Sequence, residues 1–292
     1  MSYTLVLNSS NVIGSNNNTF QYKFIAGSFQ CKDCDIAIGS LTIPYSWYNV
    51  SSYYQNQNFS ITFPYAATTA TIQFSLPAGF YLVSDINNYI QNICIANGLY
   101  LVYNGQNVYY FNVATNATYY NNQITFSLVP TALPTGYSLP TLNTGVAYWN
   151  GGAGFTLPTV STTPIITFPT TNSAGALLGF SAGTYPTAPY TSNQNASSNI
   201  LPVGSTVNAI LVHCNLVSNN ITMPSDVIDL IPINSTYGSN ISYQPPYEKN
   251  VSLCDGTYSS MTITFSDQNN NTLMALDANI AMTLVIKKKK IL

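Results

Sequence analysis

Few side chains in this sequence could do acid–base or metal chemistry. It has nine acidic residues, one histidine, seven lysines and no arginine, so charged residues make up 5 % of the 292-residue chain. General acid–base catalysis, two-carboxylate glycoside hydrolysis and metal catalysis each need several ionisable side chains in one cleft. The composition therefore argues against an enzyme, and we expect no catalytic residues, no metal and no cofactor.

The histidine, His213, is the first residue to weigh as a catalytic group. It alternates in phase with Ala209 and Leu211 on a predicted strand, and the next acidic residue along the chain is Asp226. This separation favours a structural histidine. A metal pair formed by Asp226 and Asp229, or a hydrolase in which several aspartates converge, is the weaker alternative.

Two further features carry reactive atoms. Asp267 lies in a predicted hairpin turn, where aspartate satisfies backbone donors. Cys31 and Cys34 form a C-x-x-C motif without a second pair, and the five cysteines have unrelated spacings. These cysteines argue against a disulfide framework. We expect thiols in a turn before a strand, with zinc or redox chemistry as the weaker interpretation.

Four of the seven lysines, Lys287, Lys288, Lys289 and Lys290, follow the last predicted strand. The plainest interpretation is a charged guard that prevents this strand from pairing with other chains. Alternatively, the lysines face nucleic acid or act as a localisation signal. Four cations neutralise about four phosphates, enough only for weak, salt-sensitive attraction.

An aromatic cluster, Tyr45, Trp47 and Tyr48, follows a long apolar segment. Such rings could stack on sugars or bases. No basic residues accompany them, so we favour packing in the core or against a neighbouring subunit, and we take these three residues as the candidate interface.

Period-two alternation of apolar residues predicts an all-β protein. The strongest alternating segments are Phe20–Phe24, Phe59–Phe63, Ala70–Leu76, Ile124–Leu128, Ile210–Leu216, Met261–Phe265 and Ile280–Ile286. The phase slips across Gly39-Ser40, which predicts a β-bulge in one long strand. Asn104-Gly105 predicts a type I′ hairpin. We expect no membrane span, since no window approaches about 18 apolar residues.

One short helix is predicted over about 84–97, with Ser84 as its N-cap and Ile86, Ile90 and Cys94 on its apolar face. The pattern then weakens into a loop-rich stretch before regular strands return. We therefore expect one sandwich formed by residues 1–98 and 204–292, interrupted by a loop-rich, β-containing insertion domain at 99–203.

Short motifs along nearly the whole chain resemble those of the penton, or minor capsid, proteins of virophages and related Polinton-type elements. They are IGSLTIPYSWYNV (38–50), LPAGFY (76–81), LLGF (177–180), ILVHCNLV (210–217), IPI (231–233) and QPPY (244–247). The near absence of charge departs from the family pattern and puts inter-subunit salt bridges in doubt.

The resemblance implies a single jelly-roll β-sandwich and a structural viral protein that forms the pentameric vertex of an icosahedral shell. Its implied partners are itself, as a homopentamer, and a neighbouring major capsid protein. Its implied location is the virion capsid, after synthesis in the host cytoplasm or viral factory. Because chain ends in such shells tend to lie inside, Lys287–Lys290 would face packaged DNA.

The alternative function is a glycan-binding jelly roll, such as a receptor-binding or fibre protein. In that case Trp47, Trp149 or the tyrosines would stack on sugar rings. The insertion could then contact a host surface glycan.

Overall fold

The structure is a computed structural model that describes residues 2–141 and 156–289. Its strands in chain order are β1 (Ser2–Leu7), β2 (Val12–Ile13), β3 (Thr19–Lys23), β4 (Phe29–Cys31), β5 (Cys34–Pro44), β6 (Asn58–Tyr65), β7 (Thr68–Ser75), β8 (Leu101–Tyr103), β9 (Gln106–Val108), β10 (Phe111–Asn116), β11 (Asn121–Phe126), β12 (Tyr137–Ser138), β13 (Ile165–Phe168), β14 (Gly183–Tyr185), β15 (Gln194–Ser197), β16 (Ala209–Cys214), β17 (Val227–Pro232), β18 (Asn240–Tyr243), β19 (Val251–Ser252), β20 (Gly256–Tyr258), β21 (Ser260–Asp267) and β22 (Ala281–Lys288). The α-helices are α1 (Val83–Ala96) and α2 (Gly175–Leu178). Neither reaches the length and apolarity that a membrane-crossing helix needs, within the described ranges.

The chain divides into two compact units. Residues 1–48 and 207–292 form one, which we call the sandwich unit, and residues 49–206 form the other, the inserted unit. The predicted insertion covers residues 99–203, whereas the inserted unit covers residues 49–206.

The sandwich unit is a jelly roll. One sheet has the order β1-β22-β5-β18, and the other has the order β17-β16-β21-β3-β2, with all pairs antiparallel. If its eight main strands are numbered 1 to 8 along the chain, these orders read 1-8-3-6 and 5-4-7-2. This interleaving of two Greek keys defines a jelly roll and confirms the predicted fold class. The inserted unit enters between the third and fourth strands.

Alternating side chains build the core of the sandwich unit. Met261, Ile263 and Phe265 of β21 are fully buried, and Phe265 meets Phe20 of β3 edge to face at 5.7 Å. On β5 the pairing with β22 shifts by one residue at Gly39, because Thr283 pairs with Ser40 and Leu284 with Ile38. The predicted bulge is thereby confirmed. It keeps apolar residues on the core side along a strand of 11 residues.

The inserted unit has its own core, which explains the displaced boundary. Phe59 and Phe63 of β6 and Ile90 of α1 belong to one buried cluster with Phe111 and Phe168. Burying these rings in a common core makes β6, β7 and α1 part of this unit. Their alternation resembles that of the sandwich strands, so the sequence alone does not separate the two groups.

The structure confirms the predicted turn and the predicted helix of the inserted unit, except for the residue at the N-cap of the helix. Asn104 and Gly105 both have positive φ between β8 and β9, as a type I′ turn requires. Helix α1 buries Ile86, Ile90 and Cys94 as predicted. Its N-cap is Leu82 rather than Ser84, and the Asp85 carboxylate accepts the Leu82 backbone N–H at 2.8 Å.

Candidate functional site

Two of the predicted interface aromatics lie inside the protein. Trp47 is 1 % and Tyr45 is 5 % exposed, and their rings stack with centroids 4.5 Å apart. Tyr237 closes the group with an edge contact to Tyr45 at 5.7 Å. Tyr48 is half-buried. Buried rings cannot present a contact surface, so Tyr45 and Trp47 act here as packing residues, and Trp47 offers no platform for a sugar.

The tail lysines differ from one another in their partners. Lys287 forms an ion pair with Glu248, and Lys289 lies 3.6 Å from the Asp35 carboxylate. Lys288 is exposed, and Lys290 lies outside the described residues. Strand β22 pairs with β1 on one side and β5 on the other. The interpretation of the lysines as a guard for an edge strand is therefore wrong, because the strand that they follow is an inner one.

Lys288 shares a surface hollow of about 230 Å³ with Lys32, Tyr3 and Phe29. No ion pair joins Lys32 or Lys288 to an acid in the described part of the chain. The cationic character at this end of the sandwich unit therefore rests on these two lysines more than on Lys287 and Lys289.

An exposed aromatic patch adjoins this hollow. We define the patch as Tyr3, Tyr22, Phe24, Ile25 and Phe29, which line a second hollow of about 210 Å³. Phe29 stacks on Phe24 at 5.1 Å and meets Tyr3 edge-on at 5.9 Å, while Ile25 is 95 % exposed. This surface was not predicted from the sequence. The signal for it was an apolar turn, Phe24-Ile25-Ala26-Gly27, directly after the end of β3.

Asp229 is the centre of a hydrogen-bonded charged group in the sandwich unit. Its buried carboxylate accepts hydrogen bonds from the Tyr243 hydroxyl at 2.6 Å, Lys249 Nζ at 2.7 Å and the Leu230 backbone N–H at 2.9 Å. The bond to Asp229 raises the pKa of Lys249, and burial followed by the bond to Asp229 raises the pKa of Tyr243. Asp229 therefore has a structural role.

The other predicted sites with reactive atoms behave as packing or turn residues. Asp267 accepts the backbone N–H groups of Asn269 and Asn271 at 2.9 and 2.8 Å, which confirms its turn role. All five cysteines are free thiols. Burial first, and then Cys34, raise the pKa of Cys31 to about 12, which suppresses the thiolate that zinc or redox chemistry needs. No cluster of three metal-ligating side chains occurs within residues 2–141 and 156–289.

His213 is not isolated from acids, contrary to what its sequence neighbours suggested. Its Nδ1 lies 3.0 Å from Asp226 Oδ1, and its Nε2 lies 2.7 Å from Ser266 Oγ. These residues line a polar hollow of about 270 Å³. Asp226 comes 13 positions later and Ser266 53 positions later, so only the pairing of β16 with β17 and β21 brings them together.

Replacing Lys249 with methionine tests the Asp229 network. A lysine pKa above its unfolded value of 10.5 contributes stability that is fully present below that value and lost as pH rises through the folded pKa. We expect Lys249→Met to lower the free energy of unfolding by about 1 kcal/mol near neutral pH. The difference from wild type should shrink as pH rises above 10.5, as measured by urea denaturation.

Lys23→Met is the matched control, because the described residues give Lys23 no ion pair. It should leave stability within about 0.5 kcal/mol of wild type. A Lys249 effect that stayed constant into strong alkali would contradict a contribution from the ammonium charge.

Of the three comparisons with known proteins, the comparison with solved structures found a match. No protein-family model matches the sequence, and no curated protein matches it. Among solved structures, the fold is similar to that of the selenomethionine-labelled mavirus penton protein, with a TM-score of 0.44 and 9 % sequence identity. The match covers 99 % of this chain and 100 % of that chain.

Proposed function

We propose that this chain is a structural viral capsid protein that forms the pentameric vertex, or penton, of an icosahedral shell. The observation that carries the proposal is the exposed aromatic patch on an almost uncharged jelly roll. Jelly rolls occur in viral capsids, lectins and cupins, so this fold is compatible with several functions and does not by itself identify one of them. The sequence motifs that resemble virophage pentons add support.

The aromatic patch has the chemistry of a subunit interface. Cores of protein interfaces are enriched in Tyr, Phe and Met and depleted of charge, and the largest exposed apolar patch of a protein is often functional. The patch has three half-buried rings, Tyr22, Phe24 and Phe29, around the protruding side chain of Ile25. We infer that a second copy of the chain covers it.

A closed ring needs two different surfaces on each copy, because a heterologous interface joins one surface to another. Ile221 and Met223 are 96 % and 100 % exposed in the loop between β16 and β17. We infer that this apolar loop is the surface that meets the aromatic patch of the neighbouring copy. Other exposed surface would remain for the neighbouring major capsid protein.

The charge distribution favours association of this kind. Asp85 is the sole Asp, Glu, Lys or Arg between residues 49 and 206, and the net charge of the chain is −2. A near-neutral surface repels its copies little. Weak contacts, repeated around a ring, then suffice for assembly, and the protein would reside in the virion capsid after synthesis in the host cytoplasm or viral factory.

A genome-facing role for the lysine end is a further part of the proposal. Lys287 and Lys289 have acidic partners, so Lys288 and Lys32 supply most of the available charge. Two cations give only weak attraction to phosphate, which suits an inner shell surface better than a dedicated DNA-binding protein.

Glycan binding by the inserted unit is the second candidate function. The observation that favours it is a pair of exposed rings, Tyr119 and Tyr120, which are 74 % and 77 % exposed. Tyrosine rings stack on sugars, and a host surface glycan could be recognised there while the sandwich unit assembles. Trp149 lies outside the described residues, so its part in such a site stays a prediction.

The variant Ile25→Asp tests the patch as a self-association surface. Burying an isoleucine side chain contributes about 1.5–3 kcal/mol, so placing a carboxylate there should weaken each contact by about 10- to 100-fold. Sedimentation velocity should show the wild-type oligomer dissociating into monomers in the variant. Ser15→Asp, which adds the same charge at an exposed polar site, should assemble normally. An Ile25→Asp protein that assembled as well as wild type would refute the patch as the interface.

A salt titration tests the lysine end. The slope of log affinity against log salt for duplex DNA, measured by fluorescence anisotropy, should be about −0.9 per phosphate contact. Lys288→Gln and Lys32→Gln should each reduce the slope by nearly one, whereas Lys287→Gln should change it less because Glu248 already compensates that charge. Equal effects of all three variants, or no binding at low salt, would contradict this assignment.

A further inference from the structure

We propose that Ser266, His213 and Asp226 form a nucleophilic serine site that hydrolyses small, uncharged carboxylic esters. This inference goes beyond an assembly role, and it rests on a geometry that the sequence did not suggest. The three side chains form one continuous hydrogen-bonded chain on the outer face of the sheet that contains β16 and β21.

The distances match those required of a serine nucleophile and its base. Ser266 Oγ lies 2.7 Å from His213 Nε2, and His213 Nδ1 lies 3.0 Å from Asp226 Oδ1. If Nδ1 carries the proton and donates a hydrogen bond to the Asp226 carboxylate, Nε2 is unprotonated and can accept a hydrogen bond from the Ser266 hydroxyl. An activated nucleophile has this signature, in which a base lies within reach of the nucleophile and a third group orients the base.

The sheet holds the three residues in place. His213 pairs with Thr264 and Leu211 pairs with Ser266 across β16 and β21, so His213 and Ser266 are diagonal neighbours on one face. Their neighbours on the other face, Val212 and Phe265, are fully buried in the core. The pairing of β16 with β17 shifts register between Val212 and His213. This shift lies close to the point where the chain passes from Asp226 into β17. Bulges of this kind re-aim side chains next to functional sites.

The hollow above Ser266 indicates the class of substrate. Its volume of about 270 Å³ suits a small molecule, and its lining includes Asn18, Asn215 and Thr262 around the three proposed residues. Asp226 is the sole charged side chain among the residues that line it. Without a cation to hold an anionic group, and without an apolar slot for a long acyl chain, a short uncharged ester is the best fit.

Asn270 is a further polar side chain beside the proposed nucleophile. Its side-chain amide oxygen lies 3.5 Å from Ser266 Oγ, and the residue is exposed at the turn after β21. The Asp267 backbone carbonyl oxygen lies 3.3 Å from the same hydroxyl, so His213 Nε2 at 2.7 Å is the nearest of three acceptors for the Ser266 proton.

The reaction balances with water as the co-reactant. Ser266 Oγ bonds to the ester carbonyl carbon while its proton passes to His213 Nε2, and collapse of the tetrahedral intermediate breaks the ester C–O bond as that proton moves to the departing alkoxide. Water then attacks the acyl-serine, loses a proton to His213, and releases the carboxylic acid as Ser266 regains its proton. Asp226 stabilises the imidazolium at each stage without accepting the proton.

A fluorophosphonate probe and p-nitrophenyl acetate test the proposal on the full-length protein. We expect one probe adduct per chain by intact mass, located on Ser266 by peptide mapping. Ester hydrolysis above background should disappear in Ser266→Ala. His213→Gln should slow labelling by about 100-fold or more, because general-base assistance contributes about 10²- to 10⁴-fold.

Ser260→Ala is the matched control, since Ser260 lies on the same strand and the same face, whereas His213 bonds Ser266 and Asp226. It should label and hydrolyse at the wild-type rate. An unlabelled wild-type protein, or labelling that maps elsewhere, would overturn the proposal and leave the three residues as a structural hydrogen-bond network. Peptide mapping of the wild type gives this answer even if Ser266→Ala fails to fold.

Discussion

The position of the last strand, β22, between the first strand and the third is the constraint on which the sandwich unit depends. Eight residue pairs join β22 to β5 and six join it to β1. Because β22 fills the middle of a sheet, the sheet stays incomplete until this strand is in place. The bulge at Gly39 follows from the same pairing, since it keeps Ile38 and Leu41 both on the core side.

The same strand order also explains where an additional unit can be inserted into the chain. Residues 49–206 leave β5 and return before β16, at a connection between sheets rather than within one. They bury their own aromatic cluster, including the stacked pair Phe59 and Phe74 at 4.8 Å. A unit with its own core can carry almost no charge and still fold, since burial of apolar surface rather than ion pairing supplies the driving force.

The sequence predicted what depends on local periodicity and missed what depends on long-range pairing. The strands, the Asn104-Gly105 turn, the apolar face of α1 and the bulge were all readable because each leaves a pattern within about 15 residues. The first boundary of the inserted unit could not be predicted, because the apolar residues of β6 and β7 alternate in the same way as those of the sandwich strands. The contact of His213 with Asp226 and Ser266 could not be predicted either, because the pairing of β16 with β17 and β21 creates it. For Trp47 the sequence left two placements open, because an aromatic residue after a strand shows the same pattern whether it packs in the core or against a partner.

The number of copies in the assembled particle tests the central proposal most directly. Native mass spectrometry of the full chain, over a range of concentration and salt, should give a species of five 31.7 kDa chains, close to 158.5 kDa. That species should persist at high salt, because apolar contacts rather than ion pairs hold it together. A stable monomer or trimer at every concentration would contradict the vertex assignment and favour glycan binding instead.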